Sequence, residues 1–439
     1  MIDCSISTIS NRTNGFSFGQ FIPLYKYLDE TCLPGSDIFF GDTRMLTDAT
    51  CRKITGLGSN IWSAWTPYPI EDIWTRIVTW KLPLFQLVGQ FPRSPFGLSV
   101  EVGTYLHVMG DPLDSITSLL LSLAMCGSRV KRAKELCEAA GIKPSAAEYP
   151  RTWRRLAIIM VSYDDCGKSE KVREIRWEYL ENRRHPRFET DLRHVYEESA
   201  DCLAADRQTK SLPVALAEVF FIGGWVIALI KAAASEPNPT NWPNVEVHSV
   251  AFSGLYLWVA SAVVVASVIG SSQTEASIPR LLQGFEYHLT EARARHGARR
   301  PSQDHRNEVG WCETGQNRAI YGGLSSWRPT KWTNRSKDFG ISTLMMAGFV
   351  GAAMIMVGAS YLAAIVLSYN VPPRGPNCRH IPETMMFVFW LISFALEYLF
   401  ERWLKDGWLF WSVFAKDLVC ALGNVGIVAI TQWGIMNRW

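Results

Sequence analysis

The chain lacks a surplus of charge of either sign: 44 basic and 41 acidic side chains over 439 residues leave +3. A protein that works by neutralising phosphates needs a basic excess, so nucleic acid is excluded as the main partner. Paired cysteines are missing too. Cys4, Cys32, Cys51, Cys126, Cys137, Cys166, Cys202, Cys312, Cys378 and Cys420 form no CxxC pair and no regular spacing, which removes zinc ribbons and thioredoxin-like chemistry. GxxxxGK[ST], GxGxxG and kinase catalytic-loop patterns are absent, so nucleotide-driven pumping loses its usual support. The start, MIDCSISTISNRTNG, has an acid and polar residues where a cleavable signal needs a basic start and an apolar core; none is expected. These absences leave the reading inclined away from an enzyme, with no cofactor expected.

What the chain does have is apolar length, and it is unevenly distributed. Residues 1 to 212 carry 26 basic and 26 acidic side chains, whereas 213 to 439 carry 18 and 15. A helix crossing ~30 Å of hydrocarbon needs about 20 mostly apolar residues. Five stretches approach or exceed that: 213 to 230, 250 to 270, 343 to 368, 384 to 400 and 417 to 435. The fold class expected is therefore an all-α integral membrane protein with about five transmembrane helices. A sixth span in 114 to 139 is disfavoured, because its apolar part runs for only about a dozen residues before a basic second half.

The expected organisation has five parts. Residues 1 to 110 form an irregular region rich in aromatics, Pro and Gly, and 111 to 212 a cytosolic helical region. Spans 1 and 2 occupy 213 to 270, a basic cytosolic loop 271 to 342, and spans 3 to 5 the remaining 343 to 439. Within the first part, residues 70 to 89 suit either a bilayer-surface element or a packed aromatic core. Residues 146 to 165 and 168 to 184 read as a helical hairpin capped at Gly167.

Orientation follows from Lys and Arg near the spans. Eleven fall on one side (Arg193, Arg207, Lys210, Arg280, Arg328, Lys331, Arg335, Lys337, Arg402, Lys405 and Lys416) and four on the other (Lys231, Arg374, Arg379 and Arg438). This predicts a cytosolic N-terminus and a C-terminus facing the lumen or exterior. The lipid bilayer is the partner implied. A second helix is a candidate partner for span 3, where Ala347, Gly348, Gly351, Ala352, Gly358 and Ser360 permit close approach.

Ionisable residues inside spans are costly, roughly 2.5 to 3.5 kcal/mol at the centre, and so are functional candidates. Two qualify, Glu218 and Glu397. They suit a proton relay, a cation site or an acid pair, or simple pairing with Arg402, Lys405 or Lys210. Glu246 and His248 at the edge of span 2 are membrane-edge candidates, but two residues at i and i+2 make a poor metal site, and Cys378 with His380 has the same weakness. The remaining histidines, His107 among them, form no HExxH or HxxxH spacing. No metal site is expected, and no catalytic residue is assigned.

Four segments, HVMGDPLDSITSLLLSLAMCGSRV (107 to 130), SLPVALAEVFFIGGW (211 to 225), EVHSVAFSGLYLW (246 to 258) and SSQTEASIPRLL (271 to 282), resemble a group of multi-pass membrane proteins of filamentous fungi without an assigned activity. The resemblance runs discontinuously over residues 60 to 400. It implies a multi-pass membrane fold, transfers no catalytic residue, and draws attention to Glu218, Glu246, His248, Gln273, Thr274 and Glu275. Three roles remain open from the residues: a non-enzymatic accessory, scaffold or sensing component, which a large front half before a small bundle favours; a transporter or channel using Glu218 and Glu397 for protons or cations; and a membrane enzyme acting on a lipophilic substrate.

Overall fold

The computed structural model describes residues 37–40, 43–46, 65–67, 70–90, 98–165, 186–207, 211–234, 243–269, 277–295, 341–370, 380–404, 406–432 and 434–436. The architecture is all-α, as the apolar runs predict, with four short strands at its margins. Strands β1 (Asp37–Phe40) and β2 (Thr43–Leu46) form one antiparallel pair, while β3 (Trp65–Pro67) pairs with β4 (Gly434–Met436) near the other end of the chain. The helices are α1 (Ile70–Arg76), α2 (Leu82–Val88), α3 (Leu98–Gly110), α4 (Pro112–Ala139), α5 (Tyr149–Asp165), α6 (Pro186–Asp206) and α7 (Ser211–Ala234). They continue as α8 (Pro243–Gly254), α9 (Trp258–Ile269), α10 (Ser277–Arg295), α11 (Thr343–Asn370), α12 (His380–Trp403) and α13 (Asp406–Gln432).

Among the described residues, six helical stretches are long and apolar enough to cross a membrane: Pro112–Ala139, Leu212–Ile230, Ser249–Val268, Thr343–Asn370, His380–Phe400 and Trp411–Thr431. Five coincide with the runs read from sequence. The sixth is α4, which sequence reasoning disfavours. Its basic second half does not end the helix at Gly127, because that half docks onto a second set of helices and stays helical for 28 residues, about 42 Å. It stops at Gly141, the one described residue with positive φ (82°). There Gly141 N donates to Glu138 O and Ile142 N to Cys137 O, the paired bonds of a Schellman cap.

Two apolar cores result. The larger, a membrane-type bundle, gathers Leu84 and Leu87 from α2, Leu113, Ile116 and Leu119 from α4, Phe221 from α7, Phe252 from α8, Val259 and Val263 from α9, Val357 from α11 and Trp390 from α12. The smaller joins Ala133, Leu136 and Cys137 of α4 to α5 (Leu156, Ile159, Met160, Tyr163), α6 (Leu192, Tyr196, Leu203) and α10 (Leu282, Phe285, Leu289). Helix α10 lies within the segment expected as a basic loop. It is helical because its apolar residues recur every three to four positions and pack on α6. The second arm of the hairpin expected at 168 to 184 lies outside the described residues, as do Gly167, Gln273, Thr274 and Glu275.

The outer faces differ accordingly. On α7, Val214, Ala217 and Phe221 point inward, while Leu216, Val219, Phe220, Val226, Ile227 and Ile230 are exposed. Exposed apolar side chains of this density on a long helix suit lipid contact. Helices α1 and α2, joined by a π-helical turn (Ile77–Lys81), carry an exposed stripe of Ile70, Trp74, Val78, Leu82 and Phe85, with Leu84, Leu87 and Val88 buried behind it. The buried face fits the packed-core reading of residues 70 to 89, and the exposed stripe is of the kind a bilayer-surface element would need. The small residues of α11 divide in the same way. Ser360 is buried, together with Ala353, Val357, Ala364 and Ser368, whereas a Cβ added at Gly348, Gly351 or Gly358 would meet nothing within 4 Å.

Candidate functional site: a buried ion cluster at a helix break

The site begins with an interruption. Asp111 separates α3 from α4 with a non-helical backbone (φ −141°, ψ 74°), and Pro112 then supplies no N–H to the preceding turn. Alone, the 13 residues of α3 extend about 20 Å, too short to cross a bilayer. Asp111 caps α4, its Oδ1 accepting from Asp114 N at 3.0 Å. At the break the Met109 carbonyl accepts from two side chains, Trp390 Nε1 at 3.2 Å and Asn424 Nδ2 at 2.9 Å. Irregular backbone among membrane-type helices needs such protein-supplied partners, since lipid offers none.

Beside the break lies a dense group of ionisable side chains. His107 and Asp111 come from α3 and its end, Asp114 from the first turn of α4, Glu397 from α12, and Lys416 and Asp417 from α13. All are buried, the most exposed being Lys416 at 6%. Lys416 Nζ donates to Asp111 Oδ2 (2.7 Å), Glu397 Oε2 (2.7 Å) and Ser393 Oγ (3.0 Å), and lies 2.9 Å from Asp417 Oδ1. Ser393 Oγ donates onward to Asp111 Oδ2 at 2.9 Å. His107 is held between two acids, with Nδ1 2.8 Å from Asp417 Oδ2 and Nε2 3.0 Å from Asp114 Oδ2. Ser118 Oγ donates to the same Asp114 oxygen at 3.4 Å. Each of these His107 contacts to a carboxylate requires a proton between the pair. The chain Asp417, His107, Asp114 therefore holds two protons, on the imidazole or shared with a carboxyl.

Close packing holds this geometry. Gly110 sits against α13 so tightly that an added Cβ would lie 2.9 Å from the Asp417 carbonyl oxygen and 3.3 Å from its Cα. A second interruption faces the first: α8 and α9 are separated by Leu255–Leu257, where Leu255, Tyr256 and Leu257 donate to carbonyls three residues back. Trp390 touches the two breaks at once. Its ring meets Tyr256 and Trp258 edge-on at centroid distances of 6.1 and 6.5 Å, while its Nε1 holds Met109 O.

The charges do not balance. Four carboxylates face one lysine and one histidine, which leaves an excess of two negative charges with both protons of the His107 chain in place, and three once the proton between Nε2 and Asp114 is lost. A buried excess of that size is very costly unless protons or a bound cation offset it. One donor atom each from His107, Asp114 and Glu397 lie within 4.8 Å of one another, as do one each from Asp111, Glu397 and Asp417. The Lys416 ammonium contacts all three residues of the second trio but only Glu397 of the first, so of these two groups the first is the more open to a metal ion. That metal-capable group is one sequence reasoning does not anticipate.

Of the residues singled out from sequence, only Glu397 belongs to this cluster, and its basic partner is Lys416 rather than Arg402, Lys405 or Lys210. Lys416 itself is not a loop residue; it is buried within α13. Glu218 stands apart on α7, half-buried, with Oε1 enclosed and without a hydrogen-bond partner, so the two acids do not form a pair. Glu246 and His248 lie on α8 and His380 opens α12, while Cys378 lies outside the described residues. The missed members carry a readable signal: His107, Asp111 and Asp114 are spaced i, i+4, i+7, one face of a helix. Lys416-Asp417 interrupts an otherwise uncharged, mostly apolar run from Trp408 to Val428. Comparison with protein-family models, curated proteins and solved structures finds no match to this chain.

Proposed function

We propose that this protein is a membrane transport protein whose coupling ion is exchanged at the cluster of His107, Asp111, Asp114, Glu397, Lys416 and Asp417. The observation that carries the reading is the unbalanced set of four carboxylates, one lysine and one histidine, fully enclosed at a break in a membrane-type helix. Discontinuous helices are where transporters keep polar groups inside a bilayer. An ion network with more acids than bases takes up and releases protons or cations as its surroundings change. The test is purified protein in liposomes under an imposed pH gradient, read by an internal pH dye. The wild type dissipates the gradient faster than empty liposomes, and Glu397→Gln and Asp417→Asn abolish the difference. Folded wild-type protein no faster than empty liposomes removes the transport reading.

The accessory or scaffold role read from sequence has its own support in the α5, α6 and α10 cluster, a packed unit outside the membrane-type bundle. It predicts that the same two substitutions leave cellular phenotype intact. For orientation, the positive-inside bias, ten to four without the buried Lys416, favours a cytosolic α5/α6/α10 cluster and a C-terminus on the far side. The pairing of β3 with β4 argues that Trp65–Pro67 shares the side of the C-terminal strand, and six spans between them, an even number, agree with this. The cytosolic reading of the front of the chain therefore does not extend to that segment. Glycosylation of a sequon engineered near residue 68 in sealed microsomes tests it. Kinship with the fungal multi-pass membrane group is a proposal on the same footing.

A further inference from the structure

We infer that the ion exchanged is a divalent first-row transition-metal cation, bound by His107 Nε2, Asp114 and Glu397. This rests on the transport reading for its biological role but not for the site itself. Three observations converge. First, with the Nε2 proton gone the cluster carries an excess of three negative charges, which a divalent ion lowers to one. Second, Asp114 is 1% exposed, and its Oδ1 is buried beside the His107 contact without a hydrogen-bond partner. Such an enclosed carboxylate oxygen is a ligand position in search of a cation. Third, His107 is already oriented as metal-binding histidines are: Asp417 Oδ2 accepts from Nδ1 at 2.8 Å, which fixes the tautomer and leaves Nε2 to ligate.

Distances favour this set. His107 Nε2 and Asp114 Oδ2 stand 3.0 Å apart, and adjacent ligands around an octahedral ion with bonds near ~2.1 Å are separated by about 3.0 Å. The nitrogen ligand favours Mn2+, Fe2+ or Zn2+ over sodium or calcium, which prefer oxygen alone. Binding balances as an exchange. The metal enters with two positive charges, the proton between Nε2 and Asp114 leaves, and any proton carried by Glu397 leaves with it. Lys416 stays with Asp111 and Asp417 as the cluster's fixed cation and either releases Glu397 or keeps one of its oxygens while the other turns to the metal; Asp417 acts as a positioning residue for His107.

The experiment uses full-length protein, affinity tag removed, in lipid nanodiscs, titrated with MnCl2. The six-line electron paramagnetic resonance signal of free Mn2+ reports binding, and a pH electrode in weak buffer reports proton release. The expected result is one Mn2+ per chain with affinity on the order of 10 μM, displaced by ZnCl2, with one or two protons released. Asp114→Asn and Glu397→Gln each weaken binding at least about tenfold, Asp417→Asn by about 10- to 100-fold, and Arg155→Gln leaves it unchanged. Circular dichroism and size-exclusion elution identify folded variants; should one fail to fold, the other variant and the wild-type titration decide. The inference is overturned if folded wild type leaves the signal intact at about 1 mM Mn2+, or if Asp114→Asn and Glu397→Gln bind like wild type. Proton flux without Mn2+ binding overturns the metal and leaves the transport reading intact. Metal binding without flux keeps the site and removes the transport role.

Discussion

The two ends of α4 belong to proteins of opposite polarity. Its C-terminal half, with α5, α6 and α10, follows the rules of a water-soluble domain. Apolar side chains fill the core, and charges pair on the rim, as in Arg155 with Glu197, Arg193 with Glu148 and Arg295 with Glu291. A buried acid here meets its base directly, with Arg129 Nε and Nη2 donating to Asp164 at 2.5 and 2.7 Å. The N-terminal half enters a bundle with the reverse arrangement: large apolar residues line the outside, and an unbalanced ion network occupies the interior. Leu121, Met125 and Val161, with Ile341, Met346 and Phe349, form the seam between the two. Burying a matched pair is a structural solution, whereas burying four acids with two bases stores charge that must be met from outside.

Substitutions break this contrast in graded steps. The largest effect is expected at Lys416→Met, which strands Asp111, Glu397 and Asp417 without their common cation. Removing one partner of a buried pair costs about 3 to 5 kcal/mol, and here three acids lose theirs, so loss of the folded protein in detergent extracts is the outcome to read. Phe285→Ala comes next. It empties a fully buried site packed edge-on against Tyr196 (4.9 Å), at a cost of about 3 to 5 kcal/mol. Limited proteolysis should then cut within α6 and α10 while α11 to α13 remain protected; simultaneous loss of both regions would mean the two cores fold as one.

Gly110→Ala forces a methyl against the Asp417 backbone and should cost about 1 to 3 kcal/mol, seen as a lower midpoint in thermal unfolding with the helical cluster unaffected. Replacing Arg129 with Met alone should destabilise the seam, while Arg129→Met with Asp164→Leu recovers most of the loss, as matched buried pairs do. No single companion substitution should rescue Lys416→Met in that way. The smallest effect is expected at Arg155→Ala on the rim, under about 1 kcal/mol, within the scatter of denaturant midpoints.

How far these features were legible depends on what ends a hydrophobic run. The five spans are plain in sequence because their apolar stretches approach or exceed the length a bilayer requires. Helix α4 is not, since its apolar portion is short and its continuation past Gly127 depends on α5, α6 and α10, remote partners that no local pattern reveals. Glu397 stands out as a charge inside a span. Lys416 and Asp417 escape because treating charge as a boundary starts the fifth span at Asp417 and leaves Lys416 in a loop, whereas α13 runs through both. His107 and Asp111 precede the apolar part of α4 and Asp114 stands at its start, and their shared face has meaning only once α12 and α13 close over it.

The distance along the chain between the cluster's two parts has a consequence for biogenesis. Asp111 and Lys416 are separated by 305 residues, and synthesis at about 5 to 20 residues per second takes roughly 15 to 60 s to cover that interval. During this time the first broken helix has its acids and histidine but neither the lysine that neutralises them nor the Trp390 and Asn424 side chains that satisfy its backbone. Insertion of that segment must therefore be completed late, after the C-terminal hairpin emerges, with the early segment sheltered by the insertion machinery or held outside the lipid until then.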